Sequence, residues 1–366
     1  MTDAIVLPHV RSIPPYPPGR PIAAVAREFG LDPATIVKLA SNESPLGASP
    51  AARAALAALP GETALYPDFD CFALREALST LLDLPTDMIL PGTGSSDLFG
   101  LAARACLAPG LTAACPQYSF VGFEGAVRMT GATTVITPTN GFVPDLPALA
   151  EAARAGARIV YVATPGNPTG ALCDPADVLT FLRAVPEDVL VLLDEAYRDY
   201  LEPVECVPTK ELLAARRNLV ILRTFSKIHG LAGLRVGYGL GEPALIAALR
   251  GLQTPFAVSS AAEAAAVAAL SEPGFSEDVR LRNREWREAL RAQLVARGLS
   301  VAPSSANFLL VQVGDGAAMF QALMRRGVIV RPVGNYGLAD WIRVTIGLPH
   351  ETDTFLAALD DVRANG

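Results

Sequence analysis

Leu219-Val220-Ile221-Leu222-Arg223-Thr224-Phe225-Ser226-Lys227 opens with four apolar residues and closes on two hydroxyls and a lysine. An apolar run of that length reads as a strand buried on both faces. Beyond the lysine, Ile228-His229-Gly230-Leu231-Ala232-Gly233-Leu234-Arg235-Val236-Gly237 forms a glycine-rich loop with an arginine eight positions on. The same pattern recurs upstream. Residues 88–90, 133–136, 158–162 and 189–193 read as buried strands, and 50–59, 97–107 and 175–185 between them carry helical periodicity. Strands alternating with helices indicate an α/β sheet covered on both faces. Ligands of such sheets bind beyond the carboxyl ends of the strands.

Those ends carry the chemistry. Strand 189–193 ends in Asp194-Glu195-Ala196-Tyr197, where a lone carboxylate would ordinarily cap a helix. Strand 158–162 ends in Ala163-Thr164-Pro165-Gly166-Asn167-Pro168-Thr169-Gly170, by itself a tight turn. Strand 88–90 runs through Pro91-Gly92-Thr93-Gly94 into Ser95-Ser96-Asp97 at a helix start, where backbone N–H groups attract an anion. It lacks the third glycine and the acidic ribose partner of a dinucleotide loop. Each signal is modest alone. Together they offer an anion cradle, an amide, a carboxylate with a tyrosine, and a lysine with an arginine. Pyridoxal phosphate (PLP) needs this combination: an amine for its aldehyde, a carboxylate for its ring nitrogen, donors for its phenolic oxygen and its phosphate.

Lysines are scarce: of 30 basic residues only Lys38, Lys210 and Lys227 are lysine. Lys38 reads as part of a solvated strand and Lys210 as a helix start, which leaves Lys227 for amine chemistry. The 366 residues suggest about two domains. A hydrophobic content of 51% excludes a largely disordered chain, and a net charge of −7 argues against coating nucleic acid. No apolar run approaches the length of a membrane span and no signal peptide is read. Five scattered cysteines without a paired spacing indicate free thiols in a reducing cytoplasm and no metal site. Prolines 8, 14, 15, 17 and 18 predict an extended, non-helical arm. After about Gly241 the pattern changes to long helices, including 276–296, and three half-buried strands at 307–313, 328–331 and 341–346. The organisation expected is an arm and small-domain segment over 1–35, a large domain over 36–245 and a small α+β domain over 246–366.

The motifs in order resemble fold-type I PLP enzymes of aminotransferase class I/II, and most closely the histidinol-phosphate aminotransferase family. They are Ser41-Asn42-Glu43-Ser44-Pro45-Leu46-Gly47, Tyr66-Pro67-Asp68, Gly94-Ser95-Ser96-Asp97, Pro116-Gln117-Tyr118, Gly166-Asn167-Pro168-Thr169-Gly170, Asp194-Glu195-Ala196-Tyr197, Ser226-Lys227 with Arg235, and Arg343-Val344-Thr345-Ile346-Gly347. The resemblance implies a mostly parallel seven-stranded sheet between helices, plus a smaller C-terminal domain. It implies that Lys227 bonds the PLP aldehyde, Asp194 pairs with the ring nitrogen, and Tyr197 and Asn167 hold the phenolic oxygen. Tyr118 would stack on the ring. Ser95, Ser96, Thr224, Ser226 and Arg235 would hold the phosphate. Arg331 and Arg343, with Asn42, would take the substrate. Tyr66 and Tyr16 would come from the second subunit of a homodimer.

The activity implied is transfer of an amino group from histidinol phosphate to 2-oxoglutarate, a step of histidine biosynthesis. Relatives with similar motifs act on aromatic amino acids or decarboxylate threonine phosphate, and the motifs leave those two alternatives open. A PLP-binding DNA regulator fits poorly, because the match begins by about Val10 and the chain is acidic.

Overall fold

In the computed structural model, residues 5–11, 13–14, 19–59 and 64–365 are described. Its centre is a seven-stranded sheet. From edge to edge run Ile89–Gly92, Gly237–Gly241, Leu219–Thr224, Leu190–Asp194, Ile159–Ala163, Thr112–Pro116 and Thr133–Thr137. Gly237–Gly241 is antiparallel to both neighbours and the other pairings are parallel.

Alternation along each strand divides the core in two. Val160, Val162, Val191, Leu193, Leu219 and Ile221 enter one cluster. Ile159, Tyr161, Leu190, Leu192, Val220 and Leu222 enter the other, under the Ser95–Cys106 and Val121–Met129 helices. Proline in the first turn and a side-chain cap start several covering helices. Ser49, Asp145 and Asp174 accept from the N–H groups of Ala52, Ala148 and Ala176.

The five strands expected here form, each within about a residue or two of its expected bounds. Two strands were not foreseen. Thr112–Pro116 is short of large apolar residues, and Gly237-Tyr238-Gly239-Leu240-Gly241 reads as loop. The second needs its glycines. A Cβ on Gly237 would come within 2.6 Å of Ser95 N and 2.8 Å of Arg223 O.

The arm also departs from expectation, since Pro8–Arg11 is one helical turn. Proline at a first helical position lacks only an N–H that has no intrahelical partner there, so it does not prevent the turn.

A three-stranded antiparallel sheet carries the C-terminal part: Phe308–Gln312, Leu338–Thr345 and Arg331–Val333. The single strand expected over 328–331 is split at Val330. Val328–Ile329 pairs with Val37–Lys38, and Arg331–Val333 pairs with Leu338–Thr345. Two segments cross the domain boundaries drawn from the sequence. Val37–Lys38 joins C-terminal strands, and Ser260–Leu270 buries Ala262, Ala265, Ala266 and Ala269 in the large-sheet core. No helix among the described residues is long and apolar enough to cross a membrane.

Candidate active site

A cavity of about 520 Å³ opens at the carboxyl ends of the parallel strands. It is lined by Ser95 and Ser96, Asn167, Asp194, Tyr197, Thr224, Ser226, Lys227 and Arg235, and by Asn42, Arg331 and Arg343 from the small-domain side. Twelve predicted residues, far apart in sequence, therefore meet in one place.

Lys227 reaches the cavity because its strand ends three residues earlier. Its Nζ donates to the carbonyl of Ser41 at 3.3 Å and lies 5.6 Å from the centre of the Tyr197 ring. Burial lowers its pKa to about 8, with help from Arg343 and Arg235 and against Glu43 and Asp194. Asp194 closes the neighbouring strand. Its Oδ1 accepts from Ala196 N at 3.0 Å and its Oδ2 from the Tyr161 hydroxyl at 2.8 Å. Burial raises its pKa to about 6 although both bonds favour the ionised form. Tyr197 accepts from Asn42 Nδ2 at 2.8 Å, and burial pushes its phenol up to about 12.

Asn42 and Arg235 have left-handed backbones, φ 55° and 56°. Asparagine tolerates that region, and Thr345 fixes Asn42 by bonding its N–H at 2.9 Å. Arg235 extends to Ser226 Oγ at 3.4 Å and to the carbonyl of Ala232 at 3.0 Å. Gly94 caps the Ser95–Cys106 helix at φ 79°, and a Cβ there would come within 2.8 Å of Arg235 Nη2. The positive φ there favours glycine, and a side chain would also have to displace the end of Arg235.

Arg331 and Arg343 face each other across paired strands. Like charges placed opposite each other repel, and an anion between them would remove the repulsion. Arg343 donates to the carbonyl of Ala40 at 2.8 Å and to Asn167 Oδ1, and its guanidinium lies 5.3 Å from the Phe308 ring centre.

These residues fit PLP. A half-buried amine of lowered pKa suits an aldehyde. A buried carboxylate with two of about four acceptor positions in use can serve a ring N–H. A glycine-cleared helix start with an arginine and two hydroxyls suits a phosphate.

Three predicted positions fall elsewhere. Tyr118 does not line the cavity. Its backbone is left-handed, φ 65°, and its ring packs on Phe142 at 5.8 Å, which itself meets Trp341. Phe120 lines the cavity instead, two residues along. Tyr66 is 82% exposed and stacks on Phe256 at 4.6 Å, outside its own chain's cavity. Tyr16 lies outside the described residues.

Sequence reading missed Tyr161, Phe120 and Tyr336 in the lining, and the buried pair behind it. In that pair Arg223 Nε and Nη2 donate to Glu195 at 2.8 and 2.7 Å, and Nη2 also to Thr209 Oγ1 at 2.7 Å. Glu195 stands in a quoted motif, but only strand register shows its partner.

Residues 34–359 match the family described as Aminotransferase class I and II. Histidinol-phosphate aminotransferase 1 of Cupriavidus pinatubonensis is 46% identical over 360 residues, covering 96% of this chain and 95% of its own. Histidinol-phosphate aminotransferase 2 of Ralstonia nicotianae is 47% identical over 364 residues, covering 97% and 96%. Among solved structures, the histidinol-phosphate aminotransferase of Sinorhizobium meliloti in complex with pyridoxal-5'-phosphate superposes with a TM-score of 0.90. It is 30% identical and covers 99% of this chain and 98% of its own.

Proposed function

The chain belongs to the class I and II aminotransferases and, within them, to the histidinol-phosphate aminotransferases; from that premise we propose that it moves the amino group of histidinol phosphate to 2-oxoglutarate. The observation that carries this reading is the meeting of Lys227 and Asp194 with two opposed arginines in one cavity. PLP, when bound, supplies the aldehyde that accepts the amino group and the electron-withdrawing ring that acidifies the substrate's α C–H.

The residues divide the remaining work. Lys227 would hold the aldehyde until the substrate amine takes its place. Its freed amine, with a pKa lowered to about 8, would take the proton from the substrate α-carbon and deliver it to the former aldehyde carbon two atoms away, across the bridging nitrogen. Asp194 would pair with the ring nitrogen and favour a proton there. Tyr197 and Asn167 orient the phenolic oxygen, and Asn42 orients Tyr197. The helix start at Ser95 and Ser96, with Thr224, Ser226 and Arg235, anchors the phosphate. Phe120 brings apolar ring surface to the cavity. Arg331 and Arg343 bind the substrate's phosphate, and a carboxylate of 2-oxoglutarate takes the same place in the return half.

Exposed Leu65, Tyr66, Phe69 and Phe72 lie close in sequence, and Phe256 packs on Tyr66 and Phe69. That apolar surface supports a homodimer in which Tyr66 reaches the cofactor phosphate of the second subunit. Histidine biosynthesis and the cytoplasm are the setting in keeping with this reading.

Steady-state kinetics with histidinol phosphate, phenylalanine, tyrosine and threonine phosphate test it. The expected result is the highest kcat/KM for histidinol phosphate. A preference for phenylalanine would move the function to aromatic amino acids, and carbon dioxide release from threonine phosphate would make it a decarboxylase.

A further inference from the structure

We propose that Tyr161 is a positioning residue for Asp194: its hydroxyl donates to Oδ2 at 2.8 Å and turns the remaining acceptor positions of the carboxylate toward the cavity. This inference rests on the transaminase reading above.

The strand register sets the geometry. Ala163 pairs with Asp194 and Tyr161 with Leu192, so Tyr161 stands diagonally from Asp194 on the same face of the sheet. A small residue at position 163 leaves the space through which the phenol reaches the carboxylate. Tyr161 is fully buried. Its ring is stacked on Phe123 at 4.6 Å and 11° and meets Phe99 edge-on at 5.5 Å. Such a ring has one place for its hydroxyl, and a buried phenol O–H needs an acceptor. Ala196 N holds the other oxygen at 3.0 Å. The carboxylate is thus gripped at both oxygens before any ligand enters.

The bond also acts on the proton that Asp194 shares with a ring nitrogen. A donor to the carboxylate favours its ionised form and so keeps the proton on nitrogen. The other groups that bear on the pair are Glu195 and Lys227 at Asp194, and Cys115 and Tyr336 at Tyr161. The Tyr161 hydroxyl donates directly to the carboxylate, so donor strength at position 161 is the lever.

The test compares wild type, Tyr161→Phe and Tyr161→3-fluorotyrosine, each loaded with PLP labelled with ¹⁵N at the ring nitrogen. Fluorination makes the phenol a stronger donor, and phenylalanine removes it. The ¹⁵N resonance should move toward neutral pyridine in Tyr161→Phe and toward pyridinium in the fluorinated protein. In Tyr161→Phe, kcat should fall roughly tenfold, the scale of one hydrogen bond to a charged group. KM should stay within about twofold, since the substrate arginines are untouched. A resonance and kcat that do not follow donor strength would overturn the proposal. If Tyr161→Phe fails to fold, the fluorinated protein, which keeps ring and hydroxyl, decides on its resonance alone. Failure of the wild type to bind PLP or to transaminate would instead refute the underlying functional reading.

Discussion

Lys227 and Asp194 line the same cavity with opposite consequences for their protons. Burial strips the lysine of water, and Arg343 and Arg235 add to that effect, so its pKa falls to about 8. Burial pushes Asp194 the other way, to about 6. Lys227→Ala should leave a folded protein with no turnover. Borohydride reduction of the PLP-loaded wild type and peptide mapping should place the label on Lys227, and a label on Lys38 or Lys210 would contradict the assignment.

Asp194 makes a stability prediction whose sign is fixed. Its folded pKa lies above the unfolded value of about 3.9, so the folded state holds more protons between those values. Wild-type apoprotein therefore loses stability as pH rises from about 4 to about 6, by about 3 kcal/mol at most. Asp194→Asn carries no such charge. Denaturant melts of the two apoproteins at pH 5 and pH 8 should diverge in favour of the variant at the higher pH. A constant difference would mean that Asp194 does not titrate in this range.

At the scale of elements, the strand ends were legible because each coincides with a change from apolar run to turn chemistry. Val191, Leu193, Ile221 and their neighbours leave little choice but a buried strand. What could not be read was register. Nothing in Ile159-Val160-Tyr161-Val162 says that Tyr161 lies beside Asp194, nor that Arg331 stands opposite Arg343. Local backbone was equally hidden: Tyr118 has a left-handed backbone and packs on Phe142, while Phe120 lines the cavity.

Two glycines test the cradle. Gly94→Ala places a methyl against Arg235 at a positive φ and should weaken PLP affinity by about tenfold while the fold survives. Gly237→Ala instead meets backbone at Ser95 and Arg223, and should destabilise the protein by about 2 kcal/mol or more. Arg343→Ala should lower kcat/KM for histidinol phosphate by the equivalent of about 2–4 kcal/mol, the scale of truncating one partner of a buried charge pair.

Taken as a whole, the molecule joins a sheet that offers strand ends to a smaller sheet that offers arginines, and the cavity lies where they meet. The N-terminal Val37–Lys38 strand, paired to Val328–Ile329, leads through Leu39 and Ala40 to Ser41 and Asn42 at the cavity wall. That contact was invisible to a reading that assigned residue 37 to the large domain, because pairing across about 290 residues leaves no local signal. The exposed aromatic surface makes its own prediction. Phe72→Asp should shift sedimentation from dimer to monomer and lower activity with it, whereas an unchanged sedimentation coefficient would remove that surface from the interface.

The most direct measurement is the half-reaction of the PLP-loaded protein with stoichiometric histidinol phosphate and no acceptor, followed by absorbance. The pyridoxal band should give way to a pyridoxamine band, and 2-oxoglutarate should restore the first. An unchanged spectrum with histidinol phosphate, together with full conversion by phenylalanine, would contradict the assigned donor.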